Sequence, residues 1–163
     1  MFTLCRARSL LSTLVLALAG SVALGAEVPP AGAKPLSQIL EAAEKSHPGL
    51  IISAEFDQRR WEVVSCSSEG RSCREIYLDP HSAKVLRTSR DTSFDTRPPS
   101  GGKTAAQIAR ALEEQRLGTI TELEFDDPLW EAAVHGSGVR AKLYVDPASA
   151  AIQRCRGRGC PAR

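Results

Sequence analysis

Apolar and polar positions follow two rhythms along this chain, and each rhythm appears twice. Leu36, Ile39, Leu40 and Ala43 have i, i+3, i+4, i+7 spacing with Glu41, Glu44 and Lys45 opposite them, and a like stripe recurs at Ala105, Ile108, Ala109 and Leu112. Such stripes predict short helices with one buried side. Pro35 suits the first turn of the first helix, where a missing N–H costs nothing, and Pro48-Gly49 ends it. Thr104 and Gln107 form a capping box for the second helix, which Gly118 stops. The period then drops to two, with Leu50, Ile52, Ala54 and Phe56 on one face and Ser53 and Glu55 on the other. This predicts a strand with one wet side. A second strand carries Trp61 and Val63, and a third carries Ile76 and Leu78.

The doubling is literal. From Leu36 to Glu62 the chain matches itself at an offset of 69 without a gap, and 11 of those 27 positions are identical. They include Glu55/Glu124, Phe56/Phe125, Asp57/Asp126, Trp61/Trp130 and Glu62/Glu131. After the next hairpin the offset is 67, so the second copy is shorter there by two residues. One unit used twice is the natural reading.

Hairpin register follows from the apolar pattern. Pairing Cys66 with Cys73 sets Trp61 opposite Leu78 and Val63 opposite Ile76, while Glu62 meets Tyr77 on the other face. The same register in the second copy sets Trp130 against Val145, Ala132 against Leu143 and His135 against Arg140. Apolar residues meet apolar residues in both, and a slip of one residue would turn every side chain to the wrong face. Asp79-Pro80 and Asp146-Pro147 read as turn starters, each followed by a short strand at 84–87 or 151–154. Glu55-Phe56-Asp57 and the Asp-Pro pair then become the edge and turn of a small sheet.

The fold class is therefore α+β, with two tandem helix-strand-strand-strand repeats, a short fourth strand possible in each, and each helix packed on its own small antiparallel sheet. The expected segments are a signal peptide at 1–26, a flexible lead at 27–34, a first repeat at 35–88, a linker at 89–103, a second repeat at 104–154 and a basic tail at 155–163. A unit of this size is marginal alone, since about 60 residues bury only ~60% of their unfolded surface. The two copies are expected to pack together.

The leader shapes the rest of the picture. Arg6 and Arg8, the apolar run from Leu10 to Leu24, and small residues at Ala23, Gly25 and Ala26 have the order of a secretory signal peptide cleaved near Gly25 or Ala26. Roughly 15 apolar residues fall short of the ~20 that span a bilayer, and no later segment is long and apolar enough. Cys5 lies too early for lipidation at the cleavage site. Loss of the two leader arginines would leave 19 cations against 19 anions, and no basic stripe with aromatic residues suggests nucleic acid. The expected location is periplasmic or secreted.

Four cysteines remain beyond the leader, an even number suited to an oxidising compartment. Local bridges Cys66–Cys73 and Cys155–Cys160 are expected, the first supported by the hairpin register. A four-cysteine zinc site fits the spacings poorly.

Chemistry is harder to find. His47, His81 and His135 sit in no motif, and neither a phosphate loop, a His-Glu-x-x-His run nor a nucleophile elbow is present. Asp79 and Asp146 are accounted for by turns, and Trp61 and Trp130 fall on the core parity. The expectation is no enzyme, no cofactor and no metal ligands. The polar sheet faces offer a candidate binding surface at Glu62, Tyr77, Glu131 and Tyr144, with the hairpin loop 67–72 as another. The arginine-rich tail is expected to be a solubilising, disulfide-clipped terminus, in preference to a dock for an acidic partner or the anionic envelope surface.

The short Ala-rich helix, the Gly stop, the Glu-Phe-Asp strand, the Trp-Glu-Val strand and Ile-Tyr-Leu-Asp-Pro-x-Ser-Ala-x-Val resemble the PepSY domain over 35–87 and 103–154. That family usually has Gly before its final strand, where this chain has Ala83 and Ala150. The resemblance implies an exported, non-enzymatic module of the kind found in propeptides of thermolysin-type metallopeptidases, associated with inhibiting and helping to fold them. It implies a protein partner, an envelope or secreted peptidase, and transfers no catalytic residue. The alternative is a periplasmic sensor or accessory subunit binding a small ligand or metal between the repeats.

Overall fold

The computed structural model describes residues 27–68, 72–91, 97–126 and 128–160. The expected signal peptide, residues 92–96 of the expected linker, the hairpin tip at 69–71 and the end of the tail lie outside the described residues.

Two helices and eight strands alternate in the order α1 (Leu36–Ser46), β1 (Leu50–Asp57), β2 (Arg60–Cys66), β3 (Cys73–Leu78), β4 (Val85–Asp91), α2 (Ala105–Glu114), β5 (Thr119–Asp126), β6 (Leu129–Gly136), β7 (Val139–Val145) and β8 (Ile152–Arg158). The α+β class holds, but the two small sheets do not. All strands form one antiparallel sheet in the order β4-β3-β2-β1-β5-β6-β7-β8. The joint is β1 against β5, with Ser53 opposite Glu124, Ala54 opposite Leu123 and Glu55 opposite Glu122. The Glu-Phe-Asp strands expected at an edge therefore lie at the centre. Each copy's first strand would otherwise expose a row of unpaired backbone groups, and the sister copy satisfies them.

Both hairpins adopt the expected register, including Trp61 opposite Leu78 and Cys66 opposite Cys73, and Trp130 opposite Val145 and His135 opposite Arg140. Disulfides join Cys66 to Cys73 and Cys155 to Cys160. The fourth strands are seven residues each rather than four, so β4 enters the segment read as linker and β8 the segment read as tail.

The helices lie on one face of the sheet over the main core, while Ile52, Val64, Cys66 and Cys73 form a second, smaller cluster. The irregularity between Ile51 and Ser53 puts Ile51, not the expected Ile52, in the main core. Trp61 and Trp130 are 1% and 0% exposed, each edge-on to its own phenylalanine, Phe56 at 5.4 Å and Phe125 at 5.3 Å between ring centroids. Such pairs add about 0.5–1.5 kcal/mol each beyond their buried area. The passage from α2 into β5 runs so close to β6 that a Cβ on Gly118 would sit 2.7 Å from the His135 carbonyl oxygen, and its φ of +145° favours glycine as well.

Helix α2 caps the start of α1. The capping box of α2 is present, with Thr104 accepting from Gln107 N–H, but Pro35 at the start of α1 supplies no side-chain cap. Glu113 of α2 fills that place, accepting from Ser37 N–H at 3.0 Å and Ser37 Oγ–H at 2.6 Å. Its counterpart in the first copy, Glu44, reaches Thr104, while partial burial pushes its carboxyl pKa up. Between them Glu41 and Arg110, equivalent positions of the repeat, form an ion pair. The contacts Glu41–Arg110 and Ala54–Leu123 thus mark an approximate two-fold axis.

Candidate docking face

Among the described residues no helix covers the other face of the sheet, and its central side chains fall into two rows. Strand pairing places Arg87, Tyr77, Glu62, Glu55 and Glu122 in line across β4, β3, β2, β1 and β5. The second row runs the opposite way, with Arg154, Tyr144, Glu131, Glu124 and Ser53 in line across β8, β7, β6, β5 and β1. Each row begins with the same quartet, Arg-Tyr-Glu-Glu, contributed by equivalent positions of the repeat. Alternation dictates this, because residues two apart on a strand share a face and Cα partners on neighbouring strands share it too.

The four residues expected to form the binding surface, Glu62, Tyr77, Glu131 and Tyr144, are therefore all on this face, as two opposed pairs. The tyrosines are not themselves presented. They are 6% and 8% exposed because guanidinium groups cover their rings. Arg60 and Arg87 lie 4.6 and 4.4 Å from the centroid of Tyr77, and Arg154 and Arg156 lie 3.8 and 5.6 Å from that of Tyr144. Stacked cations of this kind are worth about 0.5–1 kcal/mol at exposed sites. The Tyr77 hydroxyl donates to Glu75, which also accepts from Ser89 Oγ–H at 3.0 Å. The face offers arginine and carboxylate to a partner, over a floor of phenol rings.

Charge is ordered from the centre outwards. Carboxylates of Glu55, Glu62, Glu122, Glu124 and Glu131 occupy the middle, and arginines and Lys142 flank them. Two of the acids have local partners, with Arg60 Nη2 at 2.8 Å from Glu62 and Lys142 Nζ at 2.7 Å from Glu131. The innermost pair is less settled. Partial burial and then repulsion from Glu122, Asp57, Glu62 and Glu124 raise the Glu55 carboxyl pKa, and partial burial and then Glu122 and Asp126 raise that of Glu124. Lys142 is held above its ordinary value by its hydrogen bond to Glu131.

At the rim, the Asp-Pro turns take the shape expected. Asp79 Oδ1 accepts from Ser82 N–H at 2.8 Å and Ser82 Oγ–H at 2.7 Å, and Asp146 does the same with Ser149, both distances being 2.8 Å. These bonds lower both carboxyl pKa values. Each turn closes on an alanine in the left-handed region, Ala83 at φ 59° and Ala150 at φ 63°.

His81 is exposed and His47 and His135 half-buried, in separate turns and hairpins. Among the described residues no three His, Cys, Asp or Glu side chains converge as a metal site, and no helix is long and apolar enough to cross a membrane. An open groove of about 650 Å³ on the helix side is lined by Lys34, Gln38, Glu41, Lys45 and Arg110 among others, away from the uncovered face.

The arginines are what sequence reasoning missed. Arg87 and Arg154 are identical at the 67-residue offset, and Glu55 and Glu124 at the 69-residue offset, so repetition of polar identity was the available signal.

Residues 33–88 match the family described as the peptidase propeptide and YPEB domain, PepSY. No curated protein matches the chain significantly. A solved structure similar to it belongs to a protein described as a candidate lipoprotein from Clostridium difficile 630, at 11% identity and a TM-score of 0.45, covering 75% of this chain and 91% of that one. That likeness is too low to bear on function.

Proposed function

We propose, on the premise that residues 33–88 are a PepSY domain, that this is an exported, non-enzymatic module that binds a protein through its uncovered sheet face, the partner being an envelope or secreted peptidase that it restrains or assists. PepSY domains are generally propeptide-like or inhibitor-like binding modules, which supports the class of function. The two disulfides suit an oxidising compartment.

One observation carries the reading. The Arg-Tyr-Glu-Glu quartet occurs twice on the face that no helix covers. Core packing explains why apolar positions repeat, but a solvated face accepts many polar residues at little cost. Repeated identity there points to contact with something outside the chain. The alternation of acid and base supplies a pattern a partner can match, and such matching governs specificity and association rate.

Charge reversal tests this. In Glu62→Lys/Glu131→Lys the fold should persist, checked by circular dichroism, because both side chains, 22% and 19% exposed, lie outside the main core. Affinity purification from the native envelope should recover a peptidase with the wild-type protein, and binding should weaken by about a hundredfold in the variant. Recovery of the same partner at undiminished affinity would sink the assignment of the face, and absence of any peptidase would sink the assignment of the partner.

A further inference from the structure

The two ends of the sheet are not equivalent, although the repeat makes them counterparts. The backbone of β8 takes a φ of +124° at Gly157, where a Cβ would lie 2.3 Å from the Arg140 carbonyl oxygen, although pairing with β7 continues through it. Its end is then tied back by Cys155–Cys160. These are devices that blunt an exposed edge. On β4 the positions equivalent to Cys155 and Gly157 are Thr88 and Arg90, and no residue from Val85 to Arg90 has positive φ. Leu86 is 60% exposed and Val85 37%, an apolar lip on an otherwise charged strand.

The hydrogen-bonding direction of β4 follows from the hairpin beside it. The Cα atoms of Cys66 and Cys73 are 3.9 Å apart, the close spacing of a non-hydrogen-bonded pair. Cys73 therefore turns its backbone groups towards β4, and so do Glu75 and Tyr77. Their partners Asp91, Ser89 and Arg87 point inwards, which leaves the N–H and C=O of Thr88 and Arg90 directed out of the sheet. Among the described residues nothing pairs with that edge.

We propose that the β4 edge is a docking site for an extended, acidic segment of another protein, added as a ninth strand. Main-chain pairing supplies affinity in this mode and alternate side chains supply selectivity. Charge selects the occupant. Arg87 and Arg90 lie on β4, Lys84 just before it and Arg74 on β3 opposite Arg90, against Asp91 at the strand's end. A second copy of the chain is disfavoured, since β4 against β4 would bring these cations together and β4 against β8 would set them beside Arg154, Arg156 and Arg158. Glutamates or aspartates in the added strand would lie against Arg87 on one face or Arg74 and Arg90 on the other. The site shares Arg87 with the uncovered face, but its main-chain pairing through Thr88 and Arg90 does not depend on that face binding a peptidase.

Capped heptapeptides alternating threonine with glutamate, or threonine with lysine, are suitable probes for the full-length protein. The glutamate peptide should slow amide hydrogen exchange at Thr88 and Arg90 and bind at least tenfold more tightly than the lysine peptide. Thr88→Pro removes an outward donor without touching the bonds to β3, a substitution that edge strands tolerate, and should weaken binding roughly tenfold. If that variant does not fold, Arg87→Glu/Arg90→Glu serves instead and should reverse the peptide preference. Equal binding of both peptides, protection at β8 rather than β4, undiminished affinity in Thr88→Pro, no binding at millimolar concentration, or a dimer of the protein itself protected at β4 would each overturn the proposal.

Discussion

Ala83 and Ala150 show most plainly what a single residue contributes. Both close an Asp-Pro turn with a left-handed backbone, a conformation that costs an L-residue about 1–2 kcal/mol. Asp79 and Asp146 oppose that cost with three acceptor contacts each. Glycine would relieve the strain and lose about 0.5–1 kcal/mol to its freer unfolded chain. Ala83→Gly and Ala150→Gly should therefore each stabilise the protein by roughly 0.5–1 kcal/mol, read as a higher urea midpoint at constant slope. An unchanged or lower midpoint would mean the turn is not strained. The turns were legible because Asp-Pro has a local chemical meaning. The burial of Tyr77 and Tyr144 was not, because it depends on arginines that only strand pairing brings over the rings.

Elements in this molecule complete one another across the repeat. Helix α1 begins on a proline with no side chain to offer its free N–H groups, and the acceptor arrives from α2 as Glu113. Glu113→Ala should cost about 1–2 kcal/mol, the usual range for a lost helix cap, with the loss concentrated in α1 when followed by amide exchange. If α1 protection is unaffected, the capping role is wrong. Hairpin registers could be read from sequence because several apolar pairs agreed on one answer. The Glu113–Ser37 contact could not, since it spans 76 residues and leaves no periodic trace. The β1–β5 joint was hidden for a related reason: alternation in a strand is the same whether its neighbour is solvent or another strand.

At the scale of the whole molecule, the shared sheet and the cap that α2 gives α1 make two marginal units into one. A fragment of residues 27–91 would leave β1 without its neighbour, α1 without its cap and the core open along one side. It should be largely unfolded as a monomer by circular dichroism. A folded monomeric fragment would show the halves to be independent. The candidate docking face also exists only at this scale. Its central carboxylates come from both halves, so the acidic centre forms when the two halves join.

The ion pair of Glu41 with Arg110 has a further consequence. Its side chains are 54% and 48% exposed for Arg110 and Glu41, and a contact so wet contributes at most about 1 kcal/mol to stability. Its effect lies in the choice of mate. Two first halves from neighbouring molecules, meeting about the same axis, would set glutamate against glutamate, and two second halves arginine against arginine. A chain built from near-copies is exposed to domain swapping, and here one position per copy carries a label that makes like halves repel and sister halves attract. The exchange of halves that still satisfies the label joins a first half to a second half of another chain, and the short span from β4 to α2 gives the half on the same chain a far higher local concentration. Duplication with this label thus favours pairing of the two halves within one chain over pairing of like halves between chains.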